Sequence, residues 1–172
     1  MVEIKLFDDE GKEVTQPRVP GELAVRSVGV FDTYHKAQEK FDEDRRGEFH
    51  TVGDVAYFDE EGYYYICDRK KDMIISGGVN IYPAEIEAVL DAHPRVLDVA
   101  VIGIPNEEWG EAVHAVIVPK PGTQPTLESI QAHCRTRIAG YKIPRSVELR
   151  DSLPTSSVGK VLKTELRKSH QR

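Results

Sequence analysis

Three groups of residues have types and spacings that suit chemistry. Asp54 follows Gly53 at the start of the run VAYF, where a carboxylate can turn outward and accept two hydrogen bonds. A vicinal diol presents two such donors. The loop PTSSVGKVLK, Pro154 to Lys163, sets small residues ahead of Gly159 and Lys160. Small residues give backbone freedom and the lysine gives one mobile ammonium, which fits a charge that must enter and leave a site. The plainer readings are a turn aspartate and a solvated surface lysine. The third group is Gly77 and Gly78, one residue beyond Met73–Ile75. A glycine pair beside a strand fits positive φ or a close backbone approach, with a simple turn as the alternative.

The glycine pair lies within Cys67–Glu87, CDRKKDMIISGGVNIYPAEIE, whose backbone demands change every few residues. Charge alternates too fast over Asp68–Asp72 for a core segment, so a solvated connection is expected, then a buried strand at Met73–Ile75. Pro83 fits the first position of a helix, and Glu85 and Glu87 fall in its first turns, where the helix dipole favours negative charge. This stretch reads as a hinge between two domains.

On the N-terminal side, Val2–Phe7 is an alternating run closed by the turn DDEG, and GELAVR from Gly21 is a second strand expected to pair with it. Lys36–Phe41 fits one or two helical turns, and the charge run Asp42–Arg46 a solvated loop. Val55–Phe58, the turn DEEG and YYYIC form a further strand pair; with Tyr64 and Ile66 on one face and Tyr63 and Tyr65 on the other, at least one face is expected to be core.

After Arg69 the pattern is mixed. Ile86, Val89 and Leu90 have helical spacing, Val99–Ile104 and Val113–Val118 read as strands around the loop PNEEWGE, and Thr126 caps a helix whose apolar stripe is Leu127, Ile130, Cys134 and Ile138. Ser146–Leu149 is a last strand before the Lys160 loop. A basic terminal helix follows, read as a solvated face. The fold class is α+β: a β-rich piece, then a compact domain in which helices pack on a small sheet.

With 172 residues, 40% hydrophobic and 30% charged, the chain has a real core and room for one domain or one domain plus part of another. A net charge of -6 argues against a general nucleic-acid role. Cys67 and Cys134 are too few for a disulfide framework, no metal site is expected, and a reducing cytoplasm is the simplest home. No apolar run approaches the roughly 20 residues of a membrane span, and the N-terminus lacks the apolar core of a signal peptide.

DRKKDMIISGGVNIYPAEIE resembles the hinge and glycine-pair motif of the adenylate-forming enzymes, specifically the acyl-CoA synthetases, which join a carboxylic acid to coenzyme A at the expense of ATP. The resemblance runs from about Gly21 to Arg167. It implies that residues 1–70 end a large AMP-binding domain and residues 71–172 form the C-terminal lid, with the pivot two places after Arg69, at Lys71. Lys160 would be catalytic, bridging the substrate carboxylate and the α-phosphate. Asp54 would hold the ribose hydroxyls, although the family's TGD reads here Val52, Gly53, Asp54, with Thr51 one place early. Arg69, a planar fork of donors, would contact ribose or phosphate. Ile66 would lie against the adenine and ribose, a position packing alone explains equally well.

Coenzyme A would pass Gly77 and Gly78, with its nucleotide near Trp109, Tyr141, Lys142 and Arg145, an aromatic set with cations. Trp109 has packing as its alternative, and Ile143 stands where some relatives carry a cation. The implied cofactors are ATP, coenzyme A and Mg2+, the metal's ligands lying in a missing part, since neither the family's phosphate loop nor its acyl pocket matches anything here. The missing N-terminal domain is the implied partner, and faces that would meet it allow a homodimer. A fatty acid is the expected acid, and this chain alone is expected to be inactive. A carrier-protein-loading adenylation module and a non-catalytic nucleotide-binding domain are the competing readings.

Overall fold

The computed structural model describes residues 2–27 and 44–170, so the helical turns expected at Lys36–Phe41 lie outside the described residues. The chain divides into two compact units, Met1–Lys71 and Asp72–Arg172. Among the described residues no helix is long and apolar enough to cross a membrane.

The first unit is an antiparallel sheet of β1 (Val2–Phe7), β2 (Gly21–Ser27), β3 (Arg45–Arg46), β4 (Phe49–Phe58) and β5 (Tyr64–Arg69). As the alternating patterns imply, β1 pairs with β2. β2 takes one edge of β4, while β3 and β5 share the other. Arg45 and Arg46 therefore belong to a short hairpin with Phe49 and His50 rather than to a solvated loop. Two ladder edges recruit backbone whatever its side-chain charge.

β4 also begins earlier than its apolar run suggests. β2 pairs with it on both sides of Gly53, which takes φ +75° at a bulge, so Asp54 lies inside a strand and not at its start. A second difference concerns the tyrosines. Tyr63, Tyr64, Tyr65 and Ile66 are all exposed, so neither face of β5 is core. The small core here is Leu6, Leu23 and Ala56, with Val14, Val25 and Phe58 against it.

Among the described residues of this unit Glu22 is the buried charge, at 8% exposure. It accepts hydrogen bonds from Thr51 Oγ1 (2.8 Å) and Lys70 Nζ (3.0 Å), and Arg46 lies 3.5 Å away. Burial raises its pKa, but those hydrogen bonds and the two cations outweigh burial and hold the carboxyl below the ordinary range.

The second unit contains β6 (Ile74–Ser76), β7 (Val79–Ile81), α1 (Pro83–Asp91), β8 (Val96–Asn106), β9 (Gly110–Pro119), α2 (Leu127–Cys134), β10 (Ser146–Leu149) and α3 (Lys163–Lys168). Its sheet runs β10-β9-β6-β7, with β8 also on β9, and only β10 runs parallel to its neighbour. Pro83 opens α1 as expected. Thr126 caps α2 through a reciprocal pair with Ser129, and because α2 ends at Cys134, Ile138 reaches the core from beyond it. The short β7 was not legible in its three residues and exists because the glycine pair turns the chain back.

β8 and β9 are buried on both faces. Val99, Val101, Val113, Ala115 and Ile117 meet Ile86 and Leu90 of α1 and Ile130 and Cys134 of α2. On the other face Ala100, Ile102, Val116 and Val118 meet Leu153 and Leu166 of α3. The terminal helix is thus not a solvated face. Lys163 pairs with Glu87 at 2.8 Å and Arg167 with Asp72 at 3.0 Å, all four side chains at or below 20% exposure, while Lys168 stays in solvent. A six-residue helix has too few internal hydrogen bonds to persist alone, so packing holds it.

Two outcomes follow. Leu166→Ala costs about 3 kcal/mol for a wholly buried leucine, read from urea unfolding by the fluorescence of Trp109. Glu22→Gln costs about 2 kcal/mol at neutral pH, read from hydrogen exchange of β2 and β4. Because the folded pKa of Glu22 lies below its unfolded value, its contribution is complete above about pH 4.3 and is lost as pH falls through the folded pKa. The difference between wild type and variant therefore shrinks in acid, and a pH-independent difference would contradict this account.

Candidate functional site

In the first unit, β4 and β5 place Asp54 directly opposite Arg69. Arg69 Nε forms an ion pair with Asp54 Oδ1 at 2.7 Å, which leaves the second carboxylate oxygen for a donor and the rest of the guanidinium fork for an acceptor. The bulge at Gly53 sets the direction of Asp54. Thr51 Oγ1, buried at 4%, accepts from the Gly53 amide at 3.1 Å and donates to Glu22, so threonine turns inward while aspartate remains partly exposed. Ile66 stands on the same β5 strand, 60% exposed. A carboxylate, a guanidinium and an open aliphatic surface can together receive a sugar diol beside a flat apolar ring.

Lys71 follows in a 3-10 turn, Lys70–Asp72, and is the last residue of the first unit. It is exposed.

In the second unit the glycine pair forms the two-residue turn of the β6–β7 hairpin, Ser76 facing Val79. Both glycines have positive φ, +58° and +79°, the backbone that this tightest hairpin turn demands. Gly77 also meets the close-approach condition. A Cβ there would sit 2.7 Å from Cε3 of Trp109, and its amide donates to the Trp109 carbonyl at 2.8 Å. Nothing lies within 4 Å of a Cβ added at Gly78. Trp109 therefore packs, as its plainer reading holds, and also keeps 37% of its surface exposed, with the Arg145 guanidinium 5.2 Å from its ring. Glu111 braces the same corner by accepting from the Ile75 amide at 2.8 Å.

Tyr141 and Lys142 lie in the 3-10 turn Gly140–Lys142. Lys142 Nζ is 2.5 Å from Glu85 of α1 and 5.7 Å from the Tyr141 ring centre. Its charge is already matched within the unit, so Arg145 is the more accessible cation of this set.

Lys160 is exposed at the end of a closed turn rather than a free loop. Ser156 N–H donates to the Lys160 carbonyl at 2.8 Å, Gly159 N–H to the Ser156 carbonyl at 2.9 Å and Lys160 N–H to Ser156 Oγ at 3.2 Å, while Thr155 bridges Val161. Gly159 takes φ +79° to make that turn. The freedom of the ammonium thus resides in the side chain and not in the backbone beneath it.

Sequence reading missed the contact of Trp109 with Gly77, for which no local signal exists, and a cluster of His114, Glu148 and His170 whose ligand atoms lie within 4.8 Å of one another. Burial, and next the His170 charge, push the pKa of His114 down, whereas the hydrogen bond from Arg150 lowers that of Glu148.

Residues 85–160 match the family model of the AMP-binding enzyme C-terminal domain. Over those residues the second unit is similar to the C-terminal domain of AMP-binding enzymes. It is 48% identical over 166 residues to a long-chain-fatty-acid–CoA ligase of Escherichia coli O157:H7, which covers 96% of this chain and 29% of that protein. It is 46% identical over 167 residues to a feruloyl-CoA synthase of an Amycolatopsis species, covering 96% of the chain and 34% of the relative. Among solved structures, ATP-bound MatB from Rhodopseudomonas palustris superimposes with a TM-score of 0.89 at 35% identity, over 99% of this chain and 34% of that one. The chain therefore spans about a third of the length of these relatives, and its α+β architecture matches that of the solved structure.

The packing of the hairpin yields a direct test. Gly77→Ala combines a left-handed φ with a clash against the indole and costs about 3 kcal/mol, with a shift of the Trp109 emission maximum. Gly78→Ala carries only the backbone penalty of about 1 kcal/mol and leaves the emission in place. Equal spectra for the two variants would contradict the contact.

Proposed function

We propose that this chain is the C-terminal part of an ATP-dependent acid–thiol ligase. In the first half-reaction a carboxylate oxygen attacks the α-phosphorus of ATP, pyrophosphate leaves, and an acyl-adenylate forms. In the second the coenzyme A sulfur attacks the acyl carbonyl carbon and AMP leaves. Similarity to acyl-CoA ligases over 96% of the chain carries this reading, with the match to the domain family running from Glu85 to Lys160 itself.

Within it, Lys160 is the charge partner of the first step. Two anions must approach while negative charge grows on the phosphoryl oxygens, and an ammonium held in a closed cleft offsets about 3 kcal/mol of that barrier. The pinned turn supports this role, because it fixes the origin of the side chain while leaving the ammonium exposed. Asp54 and Arg69 are proposed to take the ribose hydroxyls and an adjoining phosphate, and Ile66 the face of the adenine. ATP enters as the substrate whose Mg2+ is held by residues outside this chain.

Gly77 and Gly78 are proposed to border the pantetheine arm, with Trp109 and Arg145 at the coenzyme A nucleotide. An exposed indole edge under a guanidinium suits a purine with phosphates better than it suits a protein carrier's surface, which favours coenzyme A as acceptor. Lys71 is proposed as the pivot that brings Lys160 in for the first step and withdraws it for the second, a reading supported by the division of the chain immediately after it. A fatty acid is the proposed acid, on the 48% identity to a long-chain ligase; the comparable 46% identity to a feruloyl-CoA synthase means that the choice of acid rests on residues beyond these. Two cysteines, too few for a disulfide framework, support a reducing, cytoplasmic setting.

Lys160→Ala in the full-length enzyme is expected to slow acid-dependent ATP–pyrophosphate exchange by 100-fold or more, while thioester formation from supplied acyl-adenylate changes by less than about threefold. Equal losses in both half-reactions would sink the assignment. The present chain, given ATP, coenzyme A and a fatty acid, is expected to make no thioester, and turnover by it would overturn the need for the larger part.

A further inference from the structure

The sheet face that receives α3 carries polar side chains at its β10 edge. His114 lies on β9 at 4% exposure, Ser146 is its direct neighbour on β10, and Glu148 is two residues further along the same face. His170 follows α3, its ring centre 4.6 Å from that of His114 with the two planes tilted by 57°. His114 Nδ1 is 2.7 Å from Ser146 Oγ. With that nitrogen engaged, Nε2 is directed into the cluster, where it is buried and has no hydrogen-bond partner among the described residues. In the tautomer where Nδ1–H donates to Ser146 Oγ, Nε2 carries a buried lone pair, which costs free energy unless another group fills it.

Glu148 is oriented just as firmly. Arg150 Nε donates to Oε1 at 2.5 Å, so Oε2 is the oxygen that faces the histidines, 3.1 Å from His170 Nε2 and 3.7 Å from His114 Nε2. On a tetrahedral zinc ion with bonds near 2.1 Å, two ligand atoms stand about 3.4 Å apart; the two separations to Glu148 Oε2 bracket that value, and all three ligand atoms lie within 4.8 Å of one another, so small side-chain shifts would draw them onto one ion. We propose that His114 Nε2, Glu148 Oε2 and His170 Nε2 form a binding site for a divalent transition-metal ion of the zinc class. Two imidazoles select zinc, cobalt, nickel or copper over magnesium and calcium, which prefer all-oxygen sites. Ser146 and Arg150 are the outer partners that fix ring and carboxylate, as such sites require. The fourth position opens to solvent beside Glu148 and His170, whose side chains are 31% and 23% exposed.

The ion joins three separate stretches: β9, β10 and the segment after α3. It therefore clamps the end of the chain over the sheet face that α3 covers, downstream of the Lys160 turn. The site is independent of the ligase reading and its own Mg2+, and stands or falls separately from it.

The test uses the 172-residue chain stripped with chelator and titrated with CoCl2, then with ZnCl2 in competition. One equivalent of cobalt is expected to give the intense visible bands of a four-coordinate site, abolished by zinc and untouched by MgCl2. His170→Ala and Glu148→Gln, both at partly exposed positions, are expected to keep the far-ultraviolet circular dichroism of the wild type and to weaken zinc at least tenfold. Ser146→Ala is expected to weaken it about tenfold through loss of ring orientation. Absence of cobalt bands at tenfold excess, or an affinity unchanged in both His170→Ala and Glu148→Gln, would overturn the proposal in favour of a hydrogen-bonded cluster alone.

Discussion

The second unit depends on one constraint: the β8–β9 hairpin is apolar on both sides. Val101 and Ile117 point one way, Ile102 and Val116 the other, and all four are wholly buried. A pair of strands with no polar face must be covered twice. α1 and α2 supply one cover, so the chain after β10 has to reach the opposite face and supply the second. That necessity places Leu153 and Leu166 and, between them, the turn that presents Lys160. The lysine stands at the surface because the elements on either side of it are committed to the core.

Polar contacts then decide how these pieces are held. α3 is too short to persist alone, and Lys163 to Glu87 and Arg167 to Asp72 tie its flanks to α1 and to the start of the unit. These pairs are part-buried, so they act by matching charges already withdrawn from water and fix where the helix lies more than they add to stability. In the first unit Glu22 plays a comparable part. Its carboxylate gathers Thr51 and Lys70 and, through Thr51, the Gly53 bulge that turns Asp54 outward.

Much of this was legible in the residues. Pro83, Thr126 and Ser146–Leu149 carry local signals of helix start, cap and strand, and each element forms where those signals stand. Gly77 and Gly78 announced a demand for positive φ, which the hairpin turn satisfies. The tyrosine strand misled because alternation assigns faces without saying whether anything covers them, and β5 lies at an outer edge of β4. The basic terminal helix misled for the converse reason: Lys163 and Arg167 find their acidic partners 76 and 95 positions away, beyond any local pattern.

The sequence by itself determined the family resemblance, the α+β class, the glycine turn and the identities of Asp54, Arg69 and Lys160 as candidates, because each rests on a short stretch whose backbone and chemical demands are local. Tertiary structure alone decided that Asp54 faces Arg69, that Trp109 lies on Gly77 with Arg145 over it, and that His114, Glu148 and His170 converge. Those contacts come from strand register and from which sheet face a helix covers. Register and coverage are settled by how the whole apolar surface is buried, and no window of neighbouring residues contains that sum.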